Sequence, residues 1–92
     1  MPEVRDNPSG NRFEIVDDDG NVAGFAEYRR DGDTLTMTHT EIGDAYEGQG
    51  LGGKLARGAL DLVRAGGGRV VPQCQFIKGW IEKHEDYGDL VA

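Results

Sequence analysis

A glycine-rich segment near the middle of the chain has the composition of an anion-binding loop. It reads Glu47-Gly48-Gln49-Gly50-Leu51-Gly52-Gly53-Lys54-Leu55, so four of its nine residues are glycine. Glycine has no side chain to block close approach to backbone N–H groups, and the N-terminus of a following helix carries partial positive charge. We therefore expect this segment to bind a phosphate group through its backbone.

Two nucleotide-binding motifs match the glycine spacing of the segment, but each lacks a residue that its function requires. Its glycines match the dinucleotide pattern G-x-G-x-x-G, which requires an acidic residue about 20 positions later. Residues 69–74, where that acidic residue would lie, contain no carboxylate. The P-loop pattern fits as far as Lys54, but Leu55 stands where a magnesium-binding serine or threonine is required.

The sequence before the segment predicts a small antiparallel sheet. Thr34–Ile42 alternates in the way that is typical of a strand, and two earlier strands are predicted over Arg12–Val16 and Val22–Arg30. Tight turns separate the three strands, so we expect them to form a meander. From Leu51 onward the apolar residues recur with the period of a helix, which places the glycine segment between a strand and a helix.

The second half of the chain predicts one parallel crossover. Arg69–Val71 is a short strand reached by way of a helix, so it should run parallel to Thr34–Ile42 through a right-handed connection. A last helix covers about Phe76–His84, and its stripe Phe76–Trp80–Ile81 is predicted to pack in the core. The predicted fold class is α/β, an antiparallel meander followed by one βαβ unit with a C-terminal helix.

Composition and charge exclude several classes of function. The 92 residues carry a net charge of −7, whereas a nucleic-acid-binding surface must be basic, so no nucleic-acid partner is expected. The sequence has no apolar run long enough to span a membrane and no evident signal peptide. Its single cysteine cannot form an internal disulfide. These features together predict a cytoplasmic protein. No metal is expected, because the aspartate-rich turn at residues 17–19 lacks the first and twelfth ligands of a calcium loop.

Two prolines near the N-terminus predict a flexible arm over residues 1–11, followed by a single compact domain over residues 12–92. For this domain we expect a monomer or a weak dimer.

Several motifs resemble one known superfamily. Glu47-x-x-Gly50-x-Gly52 is similar to the Q/R-x-x-G-x-G/A signature of the GNAT acyltransferases, whose loop binds the pyrophosphate of acetyl-coenzyme A. The run His39-Thr40-Glu41-Ile42 before the loop, Pro72-x-Cys74 after it, and the C-terminal segment Trp80–Val91 resemble the short YjdJ-type branch of that superfamily. The resemblance covers about residues 12 to 91.

The resemblance implies a coenzyme site. Acetyl-CoA or coenzyme A would be the cosubstrate, and its pyrophosphate would lie on the loop formed by Glu47, Gly48, Gln49, Gly50, Leu51, Gly52, Gly53 and Lys54. Its pantetheine arm would lie in a wedge between the two parallel strands, hydrogen-bonded to the backbone of Thr40, Glu41 and Ile42. The carboxylate of Glu47, at a position usually held by glutamine or arginine, should weaken coenzyme binding by repulsion.

His39 and Cys74 are the candidate catalytic residues. Each lies near the carboxyl end of its strand, so both flank the thioester provided that the pleat turns them to the same face. Strict alternation puts His39 on the face that carries Leu35 and Met37. Histidine titrates near neutrality and could accept a proton from the attacking amine, while Cys74 either lines the pocket or accepts the acetyl group first. A histidine and a cysteine with structural roles alone are the alternatives.

The resemblance implies an acetyl-CoA-dependent N-acetyltransferase that moves an acetyl group to an amine by direct attack on the thioester. The amine acceptor is not identified by the sequence. The tyrosine that often protonates the departing thiolate in this superfamily would fall near Trp80 or Ile81, and neither residue can donate a proton in its place. The alternative is a non-catalytic acyl-CoA-binding or protein-interaction module on the same fold.

Overall fold

One five-stranded sheet forms the centre of the computed structural model, which describes residues 2–92. The strands follow chain order, the first four are antiparallel, and the last two are parallel. This arrangement confirms the predicted fold class. The elements are β1 (Glu3–Asn7), β2 (Arg12–Val16), β3 (Val22–Asp31), β4 (Thr34–Ile42), α1 (Leu51–Ala65), β5 (Arg69–Pro72) and α2 (Gln75–Lys83), with short 3-10 turns at Pro8–Gly10, Asp44–Tyr46 and Glu85–Leu90.

The hydrophobic core lies between one face of the sheet and the helices. The helix α1 packs across β1, β2 and β3, and α2 packs beside α1 near β4 and β5. Gly58 allows α1 to approach β1 closely, because a Cβ atom there would lie 2.5 Å from the side chain of Val4. Within residues 2–92 neither helix is long and apolar enough to cross a membrane.

Strand β1 corrects the prediction of a flexible arm for residues 3–7. It pairs with β2 over its whole length, although most of its side chains are exposed. Glu14 of β2 is only 3% exposed, and its carboxylate accepts hydrogen bonds from Arg5 and Asn7 of β1 and from Arg12 beside it. The strand is therefore held by a buried carboxylate, and apolar alternation could not reveal it.

Replacing Glu14 with glutamine should lower the free energy of unfolding by about 1–3 kcal/mol at neutral pH, because Arg5 and Arg12 donate to different carboxylate oxygens and an amide keeps only one of the two acceptors. The hydrogen bond from Asn7, together with those from Arg12 and Arg5, lowers the pKa of Glu14, while burial opposes the shift. The stabilisation is therefore fully present above the ordinary value of 4.5 and is lost as the pH falls through the folded-state pKa.

Urea unfolding of the wild type and Glu14→Gln between about pH 7 and about pH 3 measures this effect, and the difference should shrink as the pH falls. Glu27→Gln is the matched control, since Glu27 is exposed on β3. A difference that stays constant over this range would contradict the expectation.

A β-bulge interrupts β4 at Thr38. Tyr28 and Glu27 are consecutive on β3, yet they pair with Met37 and His39, which are two residues apart on β4. The extra residue breaks the alternation of side chains along the strand. The faces assigned to the second half of β4 by strict alternation are therefore inverted.

The inversion moves His39 to the open face of the sheet. Residues opposite each other on paired strands point to the same face. Thr40 lies opposite buried Ala26 and therefore faces the helices, whereas His39 lies opposite exposed Glu27 and faces away from them. The prediction that His39 shares the face of Met37 is wrong, because the bulge adds one residue between them.

Candidate functional site

The glycine loop leaves the N-terminus of α1 open. Gly48 and Gly50 have φ angles of 82° and 72°, in the left-handed region that favours glycine, and Gly50 is the N-cap of the helix. Having no side chain, Gly50 cannot satisfy the first N–H groups of α1. A side chain at either position would project into open space. These N–H groups are therefore available to an anion.

The loop forms one wall of a shallow depression of about 340 Å³. Apolar side chains of Ile42, Tyr46 and Phe76 line its other walls. Such a combination of backbone donors and apolar surface suits a ligand that carries both phosphate and aliphatic groups.

The remaining loop residues differ in exposure. Glu47, Gln49 and Lys54 are exposed, and Glu47 also lines the depression. Leu51 is 4% exposed, since its side chain packs in the core, and only its backbone belongs to the loop surface. Gly52 lies against the Phe76 ring, so a Cβ atom there would be 3.0 Å from it.

Tyr46 fixes the turn that leads into the loop. Its hydroxyl donates a hydrogen bond of 2.6 Å to Asp17 in the turn between β2 and β3. That bond raises the pKa of Tyr46 and lowers the pKa of Asp17, whose other oxygen accepts the backbone N–H groups of Asp19 and Asn21. Sequence reasoning missed this positioning contact, because it joins residues far apart in the chain.

A wedge opens where β4 and β5 separate. Their parallel pairing ends at Met37 and Pro72, and the Cys74 N–H donates a last hydrogen bond of 2.9 Å to the Met37 carbonyl. Strand β4 continues to Ile42 without pairing to β5. The second half of β4 therefore presents a free edge beside the glycine loop.

Backbone direction decides which groups lie on that edge. The Gly43 N–H donates to the Ala23 carbonyl of β3, so the alternation of antiparallel pairing directs the backbone of Glu41 toward β3 as well. The backbone groups of Thr40 and Ile42 then point toward the wedge. Of the three edge residues predicted from the sequence, two are directed to the wedge by their backbone.

Cys74 lies on the helix-facing side of the wedge. It is half-buried at the N-cap of α2, and its thiol donates a hydrogen bond of 3.3 Å to the Thr40 hydroxyl. This contact joins the segment that follows β5 to the free part of β4.

His39 lies on the other side of the wedge, on the open face of the sheet. Its Nε2 atom is 3.4 Å from the Glu41 carboxylate, and its ring is 6.2 Å from the Phe25 ring, centroid to centroid. Within residues 2–92 no hydrogen bond links His39 to Cys74. The condition that the pleat turns both side chains to the same face is not met, because of the bulge at Thr38.

Phe76 is the further residue that sequence reasoning misplaced. It was predicted to pack in the core, but it is 43% exposed and lies against Gly52 of the loop. Its neighbour Ile77 takes the buried position. The apolar stripe alone could not separate the two, because Phe76 lies in the first turn of the helix, at the edge of the core.

Comparison with known proteins finds one matching family model and two similar solved structures. Residues 12–90 match the family model of the GCN5-related N-acetyltransferases. The chain is also similar to the NMR solution structure of a GCN5-like candidate N-acetyltransferase from Staphylococcus aureus. The two are 30% identical, the match covers 98% of this chain and 87% of that one, and the TM-score is 0.71.

A second similar structure is the crystal structure of nourseothricin acetyltransferase. It is 24% identical with a TM-score of 0.50, and the match covers 83% of this chain and 47% of that chain. At this identity the similarity concerns the fold alone, and the matched region is about half of the longer protein. No match was found among curated protein sequences.

Proposed function

Because this chain belongs to the GCN5-related N-acetyltransferase family, we propose that it transfers an acetyl group from acetyl-CoA to an amine. The observation that supports this most directly is the open N-terminus of α1 beside the free edge of β4. The segments His39–Ile42 and Pro72–Cys74 support membership of the short YjdJ-type branch.

The coenzyme would be held mainly by backbone groups. The N–H groups at residues 50–53 bind the pyrophosphate, and the helix dipole of α1 adds to their attraction. The backbone of Thr40 and Ile42 hydrogen-bonds the pantetheine arm in the wedge. The thioester then lies between the open face of the sheet and Cys74.

The amine approaches from the open face, where His39 lies. Its nitrogen attacks the thioester carbonyl carbon, the new C–N bond forms, and the C–S bond breaks. His39 accepts the proton that the nitrogen loses, and the Glu41 carboxylate at 3.4 Å stabilises the resulting imidazolium. Coenzyme A leaves as a thiolate and takes a proton from water, while Cys74 lines the wedge.

The alternative is a non-catalytic acyl-CoA-binding module on the same fold. Two observations favour it: Trp80 and Ile81 are buried where the tyrosine acid of related enzymes would fall, and His39 and Cys74 lie on opposite faces.

Incubation with acetyl-CoA and a panel of primary amines, followed by measurement of free thiol, separates the two functions. Amine-dependent thiol release supports the transferase. Tight coenzyme binding with no release for any amine supports the binding module.

A further inference from the structure

A second depression adjoins the glycine loop along one face of α2. It has a volume of about 280 Å³ and is lined by Gln75, Phe76, Gly79, Trp80 and Lys83. Phe76 also lines the loop depression, so its exposed ring is the wall that the two share. The two depressions therefore lie side by side, with one aromatic side chain between them.

Gly79 has no packing reason to be glycine. It lies in the middle of α2, where glycine costs about 1 kcal/mol relative to alanine. A Cβ atom at Gly79 would meet nothing within 4 Å, whereas a Cβ atom at Gly58 of α1 would collide with Val4. The missing side chain at Gly79 keeps the floor of the depression open, which is what close approach of a ligand requires.

Lys83 supplies a positive charge at the far end of this face. It follows Phe76 by about two helical turns, so both side chains lie on the same side of α2. It is exposed, and within residues 2–92 no carboxylate forms an ion pair with it. A lysine ammonium is a compact charge that suits a phosphate monoester.

We propose that this face of α2 binds the 3′-phosphoadenosine half of coenzyme A. The proposal rests on the proposed function, which puts the pyrophosphate on the glycine loop and the pantetheine arm in the wedge. The pyrophosphate lies between the two halves of the coenzyme, so the adenosine leaves the loop on the side away from β4, where Phe76 stands. Adenine stacks on the Phe76 ring above Gly79, and Lys83 contacts the 3′-phosphate.

Calorimetry with three ligands tests each contact separately. The ligands are coenzyme A, 3′-dephospho-coenzyme A, and 4′-phosphopantetheine, which lacks adenosine. Lys83→Ala should lower the affinity for coenzyme A by about fivefold and leave the affinity for 3′-dephospho-coenzyme A unchanged. Of these two ligands, only coenzyme A carries the 3′-phosphate. Phe76→Ala should lower the affinity for both coenzyme forms by about tenfold, because the adenine loses its stacking partner. The affinity for 4′-phosphopantetheine, which has no adenine, should not change.

Gly79→Leu provides an independent test, because a Cβ atom at Gly79 meets nothing within 4 Å in the free protein and the longer side chain would project into the depression. This variant should have a lower affinity for both coenzyme forms and an unchanged affinity for 4′-phosphopantetheine. Lys78→Ala is the charge-matched control, since Lys78 lies about 200° around α2 from Phe76. Leu62→Ala removes another exposed apolar side chain, on α1, and should change no affinity.

Two results would overturn the proposal. If the wild type binds coenzyme A and the Phe76, Gly79 and Lys83 variants bind it equally well, the adenosine lies elsewhere and the proposed function stands. If the wild type binds no coenzyme A at millimolar concentration, the proposed function fails together with this inference.

Discussion

Replacing Gly50 with valine should abolish coenzyme A binding and leave the domain folded. Gly50 has a φ angle of 72°, which a β-branched residue adopts only at a cost of about 1–2 kcal/mol. Its Cβ atom would meet nothing in the free protein, so the added side chain does not disturb the core. The isopropyl group would instead occupy the place of the phosphate oxygens, and we expect affinity to fall by about 100-fold or more.

Gly67→Val is the matched control for this substitution. Gly67 has a φ angle of 75°, its added Cβ would also meet open space, and it follows the other end of α1. Both variants should therefore lose similar thermal stability, but only Gly50→Val should lose calorimetric binding of coenzyme A. Equal binding losses in the two variants would assign the effect to backbone strain and contradict the phosphate site.

The same titrations test the carboxylate of Glu47. Glu47 is exposed at the start of the loop, so its carboxylate should repel the pyrophosphate. Glu47→Arg should raise the affinity for coenzyme A several-fold, by roughly 1 kcal/mol, and by more at low salt. An unchanged affinity at both salt concentrations would show that this side chain does not face the pyrophosphate.

Replacing His39 with alanine should lower turnover by about 100-fold or more and leave coenzyme affinity unchanged. A general base contributes a factor of about 10²–10⁴, and His39 faces the side of the wedge from which the amine would approach. The Glu41 carboxylate lies 3.4 Å from His39 Nε2 and acts only through the imidazole ring. Glu41→Gln should therefore reduce turnover by less than His39→Ala does.

Cys74→Ala is the comparison that separates the two routes of transfer. Direct attack predicts that this variant retains most of its turnover, and that mass spectrometry of the wild type with acetyl-CoA alone finds Cys74 unmodified. Stoichiometric acetylation of Cys74 that disappears on addition of amine would show that the acetyl group passes through the Cys74 thiol instead. Full activity in both His39→Ala and Cys74→Ala would remove both residues from the mechanism.

Local signals in the sequence were enough to predict most of the fold. The glycine loop follows from residues that are adjacent in the chain, and its φ angles depend on the absence of side chains at Gly48 and Gly50. The alternation of β4 and the helical period from Leu51 are likewise properties of short segments. A short strand reached through a helix is expected to return parallel, and β5 does so, which puts the loop at the crossover.

The tertiary structure alone decided three features, each of which joins residues distant in sequence. Strand β1 pairs along β2, and its polar side chains satisfy the buried carboxylate of Glu14. The face of His39 depends on a bulge at Thr38 that appears only in the register between β3 and β4. The exposure of Phe76 depends on how α2 packs against Gly52, because a helical stripe identifies an apolar face without showing where the core ends.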